Sequence, residues 1–84
     1  MTRIAKLYAA VLANPKTAIT FAEFERLLRA TGFVLVRIKG SHRHYVHPDV
    51  PQVFTILPDG KAVKVYLVRR FLEIVDEHGL HVEV

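Results

Sequence analysis

The sequence predicts a two-layer α+β domain in which a three-stranded antiparallel sheet carries helices on one face. Apolar residues recur at helical spacing in two segments before residue 33 and in one segment after residue 62. Three short β-rich runs lie between these segments, separated by turn residues. The length of 84 residues suits one domain. We therefore expect the element order α-α-β-β-β-α.

The first predicted helix covers residues 3–13. Its apolar residues recur at i, i+3, i+4, i+7 and i+8, which is the spacing of one helix face. They are Ile4, Leu7, Tyr8, Val11 and Leu12. Asn14-Pro15 should end this helix, because a residue that precedes proline is disfavoured in the helical region.

The second predicted helix begins after Thr20, which forms a capping box with Glu23. Gly32 should end it in the C′ position, where a left-handed backbone is common. The apolar stripe of this helix consists of Phe21, Phe24, Leu27 and Leu28.

The predicted strands follow the second helix. Residues 33–38 form a β-rich strand, 39–41 form a turn, and 42–47 complete a hairpin. Residues 48–52 contain two prolines and an aspartate and read as a loop. Residues 53–57 form the third predicted strand.

The last predicted helix covers residues 63–78, after a Pro-Asp-Gly turn signal. Gly79 is its expected C-cap, and residues 80–84 form either a short strand or an ordered extension. The predicted apolar stripe consists of Val65, Val68, Leu72 and Val75, broadened by Phe71 and Ile74.

The charge of the chain favours an anionic partner. Its formal net charge is +4, from 12 Lys and Arg against 8 Asp and Glu. Segments 33–48 and 61–72 contain basic residues and no acid. If they share one face, they form the footprint of a protein that binds a phosphate backbone. The alternative is a solvated surface that only favours solubility.

The composition argues against several protein classes. The chain has no cysteine, which fits a reducing compartment. No apolar run approaches the roughly 20 residues that cross a bilayer. Arg3 and Lys6 interrupt the N-terminal apolar residues, unlike a secretory signal. We therefore expect a cytoplasmic protein with no membrane partner.

The histidines of the second strand invite three chemical interpretations. His42 and His44 would share one strand face and could share a metal, but there is no cysteine to complete a site and Asp49 is the only nearby carboxylate. Ser41 could be a nucleophile beside His42, but sequence neighbours rarely align as nucleophile and base. General acid–base chemistry by His42 fits better, because imidazole titrates near neutrality.

Cations near His42 could stabilise charge that develops on a phosphate. Arg37, Lys39 and Arg43 are close in sequence, and Lys64 or Arg69 could reach across. The alternative is a polar hairpin turn with surface histidines. Aromatic side chains could also stack on bases. The candidates are Tyr45, Phe54 and Tyr66, of which Phe54 fits the core better and Tyr45 remains open.

An ordered set of residues within 20–79 carries a resemblance to a known family. The residues are Gly32-Phe33, Arg37, Gly40-Ser41-His42, His47-Pro48 and the basic stretch 64–73. In this order and at these spacings they resemble the HicA family, the toxin half of a bacterial type II toxin–antitoxin pair.

The resemblance implies a fold like a double-stranded RNA-binding domain, as one domain over 1–84. Its core would be 20–79, and 1–16 would be an extra N-terminal helix and linker. The resemblance also implies cleavage of mRNA with His42 as the catalytic group. A HicB-like antitoxin would neutralise the protein by covering the active site. We expect no cofactor, no metal, and no direct DNA binding by the chain alone.

The resulting prediction is a metal-independent endoribonuclease toxin that holds mRNA by its phosphates, mostly without reading sequence. The predicted RNA-binding residues are Lys39, Gly40, Ser41, Arg43 and Lys64, with Arg37 either joining them or bracing the strand. The alternatives are a non-catalytic RNA-binding module of the same fold and a subunit that mainly docks a partner protein.

Overall fold

The computed structural model describes residues 3–83 and confirms the predicted order α-α-β-β-β-α. The elements are α1 (Arg3–Ala13), α2 (Phe21–Ala30), β1 (Val34–Lys39), β2 (His42–His47), β3 (Val50–Ile56) and α3 (Val65–His78). The strands form one antiparallel sheet in the order β1-β2-β3. None of the helices within residues 3–83 is long and apolar enough to span a bilayer.

The helices cover one face of the sheet, as predicted. The ring of Phe24 in α2 meets Phe54 of β3 at 6.3 Å and Phe71 of α3 at 5.8 Å between centroids. Successive strand residues point to opposite faces of the sheet. We call the face that packs against the helices the helix face, and the other the open face. The open face carries Val34, Arg37, Lys39, His42, His44, Val46, Val53 and Thr55.

Local signals set both ends of α2. The Thr20 hydroxyl accepts the backbone N–H of Glu23 at 3.0 Å, and the Glu23 carboxylate accepts the N–H of Thr20 at 2.8 Å. At the other end Gly32 has φ +100°. The N–H groups of Gly32 and Phe33 bond to the carbonyls of Arg29 and Leu28, which is the Schellman pattern. The predicted capping box and C′ glycine are both confirmed.

Helix α1 ends at Ala13, before Asn14-Pro15, as predicted. Val11 is fully buried, and the partly buried Ile4, Leu7 and Tyr8 pack against the core. The placement of Leu12 in the apolar stripe is wrong, since its side chain is exposed. It lies on the border of the stripe, just outside the part that meets the core.

Helix α3 ends at His78, and the next residue, Gly79, has φ +59°, which confirms the predicted C-cap. Its buried stripe differs from the prediction. Leu67 is buried, whereas Val65 is exposed and Leu72 is only partly buried. The stripe that faces the core therefore consists of Leu67, Val68, Phe71, Ile74 and Val75. The helix is rotated slightly from the orientation that Val65 and Leu72 suggested.

The predicted loop over 48–52 is too long. The turn is only Pro48-Asp49, and β3 begins at Val50, which pairs with His47. Pro51 fits within β3 because an edge strand can have a backbone nitrogen that donates to no neighbour. After α3, residues 80–83 form an ordered extension and not a strand, and residue 84 lies outside the described residues. Val82 is buried, and the N–H of Glu83 donates to the carbonyl of Ala30 at 2.6 Å.

Candidate active site

A tight hairpin turn brings the predicted glycine and histidine into place. Lys39 pairs with His42, so Gly40 and Ser41 are the two central residues of the turn. Gly40 has φ +60°, and within residues 3–83 a positive φ occurs only at glycines. A positive φ at the first central position alone is the feature of a type II′ turn, which glycine adopts without strain. His42 is thereby fixed at the very start of β2.

A β-bulge in β1 decides which cations lie beside the histidines. Leu35 pairs with Tyr45, but the next pair is Arg37 with His44, so Val36 is an extra residue. Simple alternation would put Arg37 on the face of Leu35, toward the helices. The bulge instead sends Arg37 and Lys39 to the open face.

His42 and His44 lie on the same face of β2, one behind the other. His42 is exposed, whereas His44 is half-buried. The Nδ1 atom of His44 lies 2.9 Å from the Oγ1 atom of Thr55 on β3. Thr55 is the cross-strand partner of His44, so this contact follows directly from the register of the sheet. His44 is therefore held at a defined position, while His42 is free to meet a ligand.

The open face has a positive end. Lys39 lies opposite His42, and Arg37 lies opposite His44. None of the three strands contains an acidic residue. The face can therefore attract a phosphate without a carboxylate to repel it.

Arg43 does not join this group, although it lies between the two histidines in sequence. Alternation along β2 points it to the helix face, where its Nη1 lies 3.0 Å from the Oε2 of Glu25. Its guanidinium carbon also lies 5.5 Å from the centre of the Phe21 ring. The structure thus brings Arg37 and Lys39 to His42 and ties Arg43 to α2.

Glu25 is a buried carboxylate that sequence reasoning missed. It accepts a hydrogen bond of 2.6 Å from the hydroxyl of Tyr45 in addition to the ion pair with Arg43. Tyr45 is fully buried, which answers whether it could stack on a base. A signal existed, because Glu25 lies at i+4 from Phe21 and i−3 from Leu28, inside the apolar stripe of α2.

The surroundings of Tyr45 keep its hydroxyl protonated. Burial raises the pKa of Tyr45 to about 12, and the hydrogen bond to Glu25 and the negative charge of Glu25 act in the same direction. A neutral phenol can donate to the carboxylate, whereas a phenolate could not. This contact fixes β2 against α2 from the side opposite the histidines.

Both ring nitrogens of His47 contact backbone groups, which gives this side chain a structural role. Its Nδ1 accepts the N–H of Asp49 at 3.0 Å, and its Nε2 lies 2.9 Å from the carbonyl oxygen of Thr31. Only the neutral tautomer with a proton on Nε2 satisfies both partners. A Cβ atom on Gly32 would come within 3.0 Å of this Nε2. His47 thus connects the end of β2 to the C-terminal end of α2.

The remaining predicted residues surround the site more loosely. Gly40 and Ser41 are exposed in the turn beside His42. Lys64 is exposed at the N-cap of α3, in the helical layer. Its segment leaves the sheet after Ile56, which pairs with Arg43 near the His42 end of β2. Phe54 is buried, as expected, and Tyr66 is exposed on α3.

Within residues 3–83, no group of three or more His, Cys, Asp or Glu side chains is arranged to hold a metal ion. His42 and His44 share the open face, while His47 faces the helices. The three histidines of β2 therefore do not converge.

One comparison with known proteins gives a match. A family model described as the HicA toxin of bacterial toxin–antitoxin matches residues 21–76. The matched range runs from the start of α2 almost to the end of α3, and it includes the whole sheet. Among curated proteins and among solved structures, no match to the chain is found.

Proposed function

Because this chain belongs to the HicA family of bacterial toxin–antitoxin toxins, we propose that it is a metal-independent endoribonuclease that cleaves mRNA. His42 is the general acid or base of the reaction. The observation that carries this proposal is an exposed histidine directly opposite Lys39, on a sheet face without acids. Such a histidine can reach a phosphodiester that the cations hold.

The chemistry needs only proton transfer and charge stabilisation. An imidazole can take a proton from, or give one to, an oxygen of the sugar-phosphate backbone within about 3 Å. Lys39 and Arg37 stabilise the negative charge that develops on the phosphate oxygens. The exposed Gly40 has no side chain, so a phosphate can approach the backbone N–H groups of the turn.

The RNA is held mainly through its phosphates. Arg37 and Lys39 form the central contact, Ser41 adds a hydroxyl at the turn, and Lys64 extends the basic surface toward α3. Arg43 contributes indirectly, because its ion pair with Glu25 fixes the strand that carries His42. Contacts of this kind do not depend on base identity.

The partner in this proposal is a HicB-like antitoxin that covers the open face. Three exposed valines, Val34, Val36 and Val53, lie on the same sheet as His42 and His44. Exposed apolar side chains beside a polar site are typical of protein interfaces. An antitoxin bound there would exclude RNA from His42.

The test is an RNA cleavage assay with His42→Ala, with His81→Ala as the matched control. His81 is an exposed histidine in the C-terminal extension, so its removal changes the composition equally. We expect His42→Ala to lower the cleavage rate at least about 100-fold, the usual contribution of an acid or base. His81→Ala should cleave like the wild type.

Further outcomes separate the alternatives. Cleavage should persist after thorough chelation of divalent metal ions, and its loss on chelation would overturn the metal-independent mechanism. RNA binding without cleavage by the wild type would identify a non-catalytic RNA-binding module. Tight antitoxin binding without any RNA binding would identify an interaction subunit. Equal cleavage by wild type and His42→Ala would remove His42 from the mechanism.

A further inference from the structure

We propose that His44 is the second proton-transfer group of the site and acts as the partner of His42 across one phosphodiester. This inference rests on the proposed ribonuclease activity and extends it. One histidine removes a proton from the attacking oxygen, and the other delivers a proton to the leaving oxygen. The same pair also defines the substrate class, which is RNA with a free 2′-hydroxyl.

The spacing of the two histidines suits this division of labour. They are two residues apart on one strand, so their Cα atoms are separated by about 6.6 Å and their side chains point the same way. A displacement at phosphorus has its attacking and leaving oxygens on opposite sides. Two imidazoles that flank the phosphate can each come within about 3 Å of one oxygen.

Thr55 prepares His44 for repeated proton transfer. Its Oγ1 lies 2.9 Å from Nδ1 of His44 and can accept a hydrogen bond from an Nδ1–H group. In the tautomer that donates to Thr55, which this proposal requires, Nδ1 carries its proton in both the neutral and the charged ring. Nε2 makes no hydrogen bond to any residue in 3–83, so it is the nitrogen that gains and loses a proton.

The charged neighbours of His44 are few and all on its own face. Arg37 lies opposite it on β1, and Lys39 and His42 form the next cross-strand pair on the same face. On the other side β3 contributes the uncharged Thr55 and Val53. The helices pack on the opposite face, where Glu25 binds Tyr45 and Arg43. No carboxylate competes for the proton of either histidine within this group.

The reaction step balances without a further reagent. A neutral imidazole takes the 2′-hydroxyl proton as the 2′ oxygen forms its bond to phosphorus. The bond from phosphorus to the 5′ oxygen breaks, and its electron pair leaves with that oxygen. The protonated imidazole supplies the proton that this oxygen needs. The products are a 2′,3′-cyclic phosphate and a 5′-hydroxyl end.

The first test compares His44→Gln with His81→Gln in cleavage of a single-stranded RNA oligomer over a range of pH. The wild type should show a bell-shaped profile, because one histidine must be neutral and the other protonated. His44→Gln should lower the maximum rate at least about 100-fold and remove one limb of the bell. His81→Gln should leave both rate and profile unchanged.

A second pair of variants separates proton transfer from simple support of the strand. Thr55→Ser keeps the hydroxyl, so it should retain the wild-type rate within a few-fold. Thr55→Val keeps the shape but removes the hydroxyl, so it should lower the rate about tenfold, the equivalent of one hydrogen bond. Thermal unfolding of all variants identifies any loss that comes from the fold alone.

The outcomes distinguish this inference from the proposed function. Suppose that the wild type cleaves RNA and needs His42. If His44→Gln then keeps the wild-type rate, or keeps both limbs of the bell-shaped pH profile, only the role of His44 is overturned. Cleavage of a 2′-O-methyl RNA oligomer, or products with 5′-phosphate ends, would overturn the transfer step. If the wild type does not cleave RNA at all, the proposed function fails first.

Discussion

At the scale of single residues, Tyr45 links the stability of the protein to pH. Its folded-state pKa is raised to about 12 from the ordinary value of 10.0, chiefly by burial and then by Glu25. A raised pKa for an acid means that folding favours the protonated form. The contribution is complete below pH 10 and disappears as pH rises through about 12.

We therefore predict that the free energy of unfolding falls between about pH 10 and 12 through the ionisation of Tyr45. A shift of this size corresponds to a loss of at most about 3 kcal/mol. Denaturant unfolding, followed by circular dichroism at pH 8, 10, 11 and 12, measures it. Tyr45→Phe should flatten the decline, because the phenol is gone while the ring remains.

Tyr66→Phe is the control for this measurement. Tyr66 is exposed on α3, so its removal should leave the alkaline decline unchanged. An equal decline in Tyr45→Phe and wild type would show that other groups cause it.

The sequence was sufficient to choose the candidate residues for chemistry, but it did not show which face of the sheet each side chain occupies. His42 follows a glycine turn, and both features could be read locally. Arg43 and Tyr45 could not be placed, because both faces of β2 carry polar side chains. Their direction depends on Glu25, a residue eighteen to twenty positions away whose partners only the folded chain defines.

At the scale of elements, the bulge at Val36 controls the chemistry of β1. It is one extra residue, and its removal should leave a regular ladder with Leu35 still opposite Tyr45 and Arg37 still opposite His44. Deleting Ile38 instead also leaves a regular ladder, but Arg37 then pairs with Arg43 on the helix face. The two deletions remove similar side chains, since Val36 is 57% exposed and Ile38 is 56% exposed.

We predict that the Val36 deletion keeps RNA affinity within a few-fold, whereas the Ile38 deletion lowers it about tenfold or more. The loss arises because Arg37 leaves the open face and Val36 takes its place beside His44. Fluorescence anisotropy with a labelled RNA oligomer measures the affinity of both variants in a His42→Ala background. Equal affinities would mean that Arg37 does not contact RNA.

The element boundaries show where local sequence is sufficient. Thr20 with Glu23 and the glycines at 32 and 79 mark helix ends through their own backbone geometry, so they were predictable. The bulge in β1 has no Gly or Pro to announce it. The start of β3 was hidden by Pro51, which reads as a loop residue until the strand is known to lie at an edge of the sheet.

At the scale of the whole molecule, the distribution of acidic residues favours binding of a polyanion through the sheet. The strands hold three basic residues and no acid, whereas α3 carries Glu73, Asp76 and Glu77 beside Arg69 and Arg70. A polyanion should therefore settle on the open face and its hairpin turn. The affinity should depend on salt, because bound cations are released from the RNA.

We predict that Arg37→Gln and Lys39→Gln each lower the slope of log affinity against log salt by about 0.7 for single-stranded RNA. Lys6→Gln should leave the slope unchanged, because Lys6 lies on α1 and not on the open face of the sheet. Titrations from low to high salt in the His42→Ala background provide the slopes. A reduced slope for Lys6→Gln alone would put the RNA on another surface.

The architecture followed from the sequence because helical stripes, β-rich runs and turns each carry their own pattern. The spatial arrangement of the site residues could not be predicted in the same way. Whether two acid-free segments share a surface depends on how the strands pair and on which side α3 packs. The structure joins Arg37 and Lys39 to His42 through strand pairing, while Lys64 reaches the site only through the segment that leaves β3.

The alternation along β2 ties the candidate site to the packing of the sheet against the helices. His42 and His44 point outward only while Arg43 and Tyr45 point inward, and a slip of one residue would exchange the two sets. The contact between Tyr45 and Glu25 therefore helps to hold the register that places His42 and His44 on the open face. A change that shifts this register should turn both histidines toward the helices and expose Tyr45 in the same step.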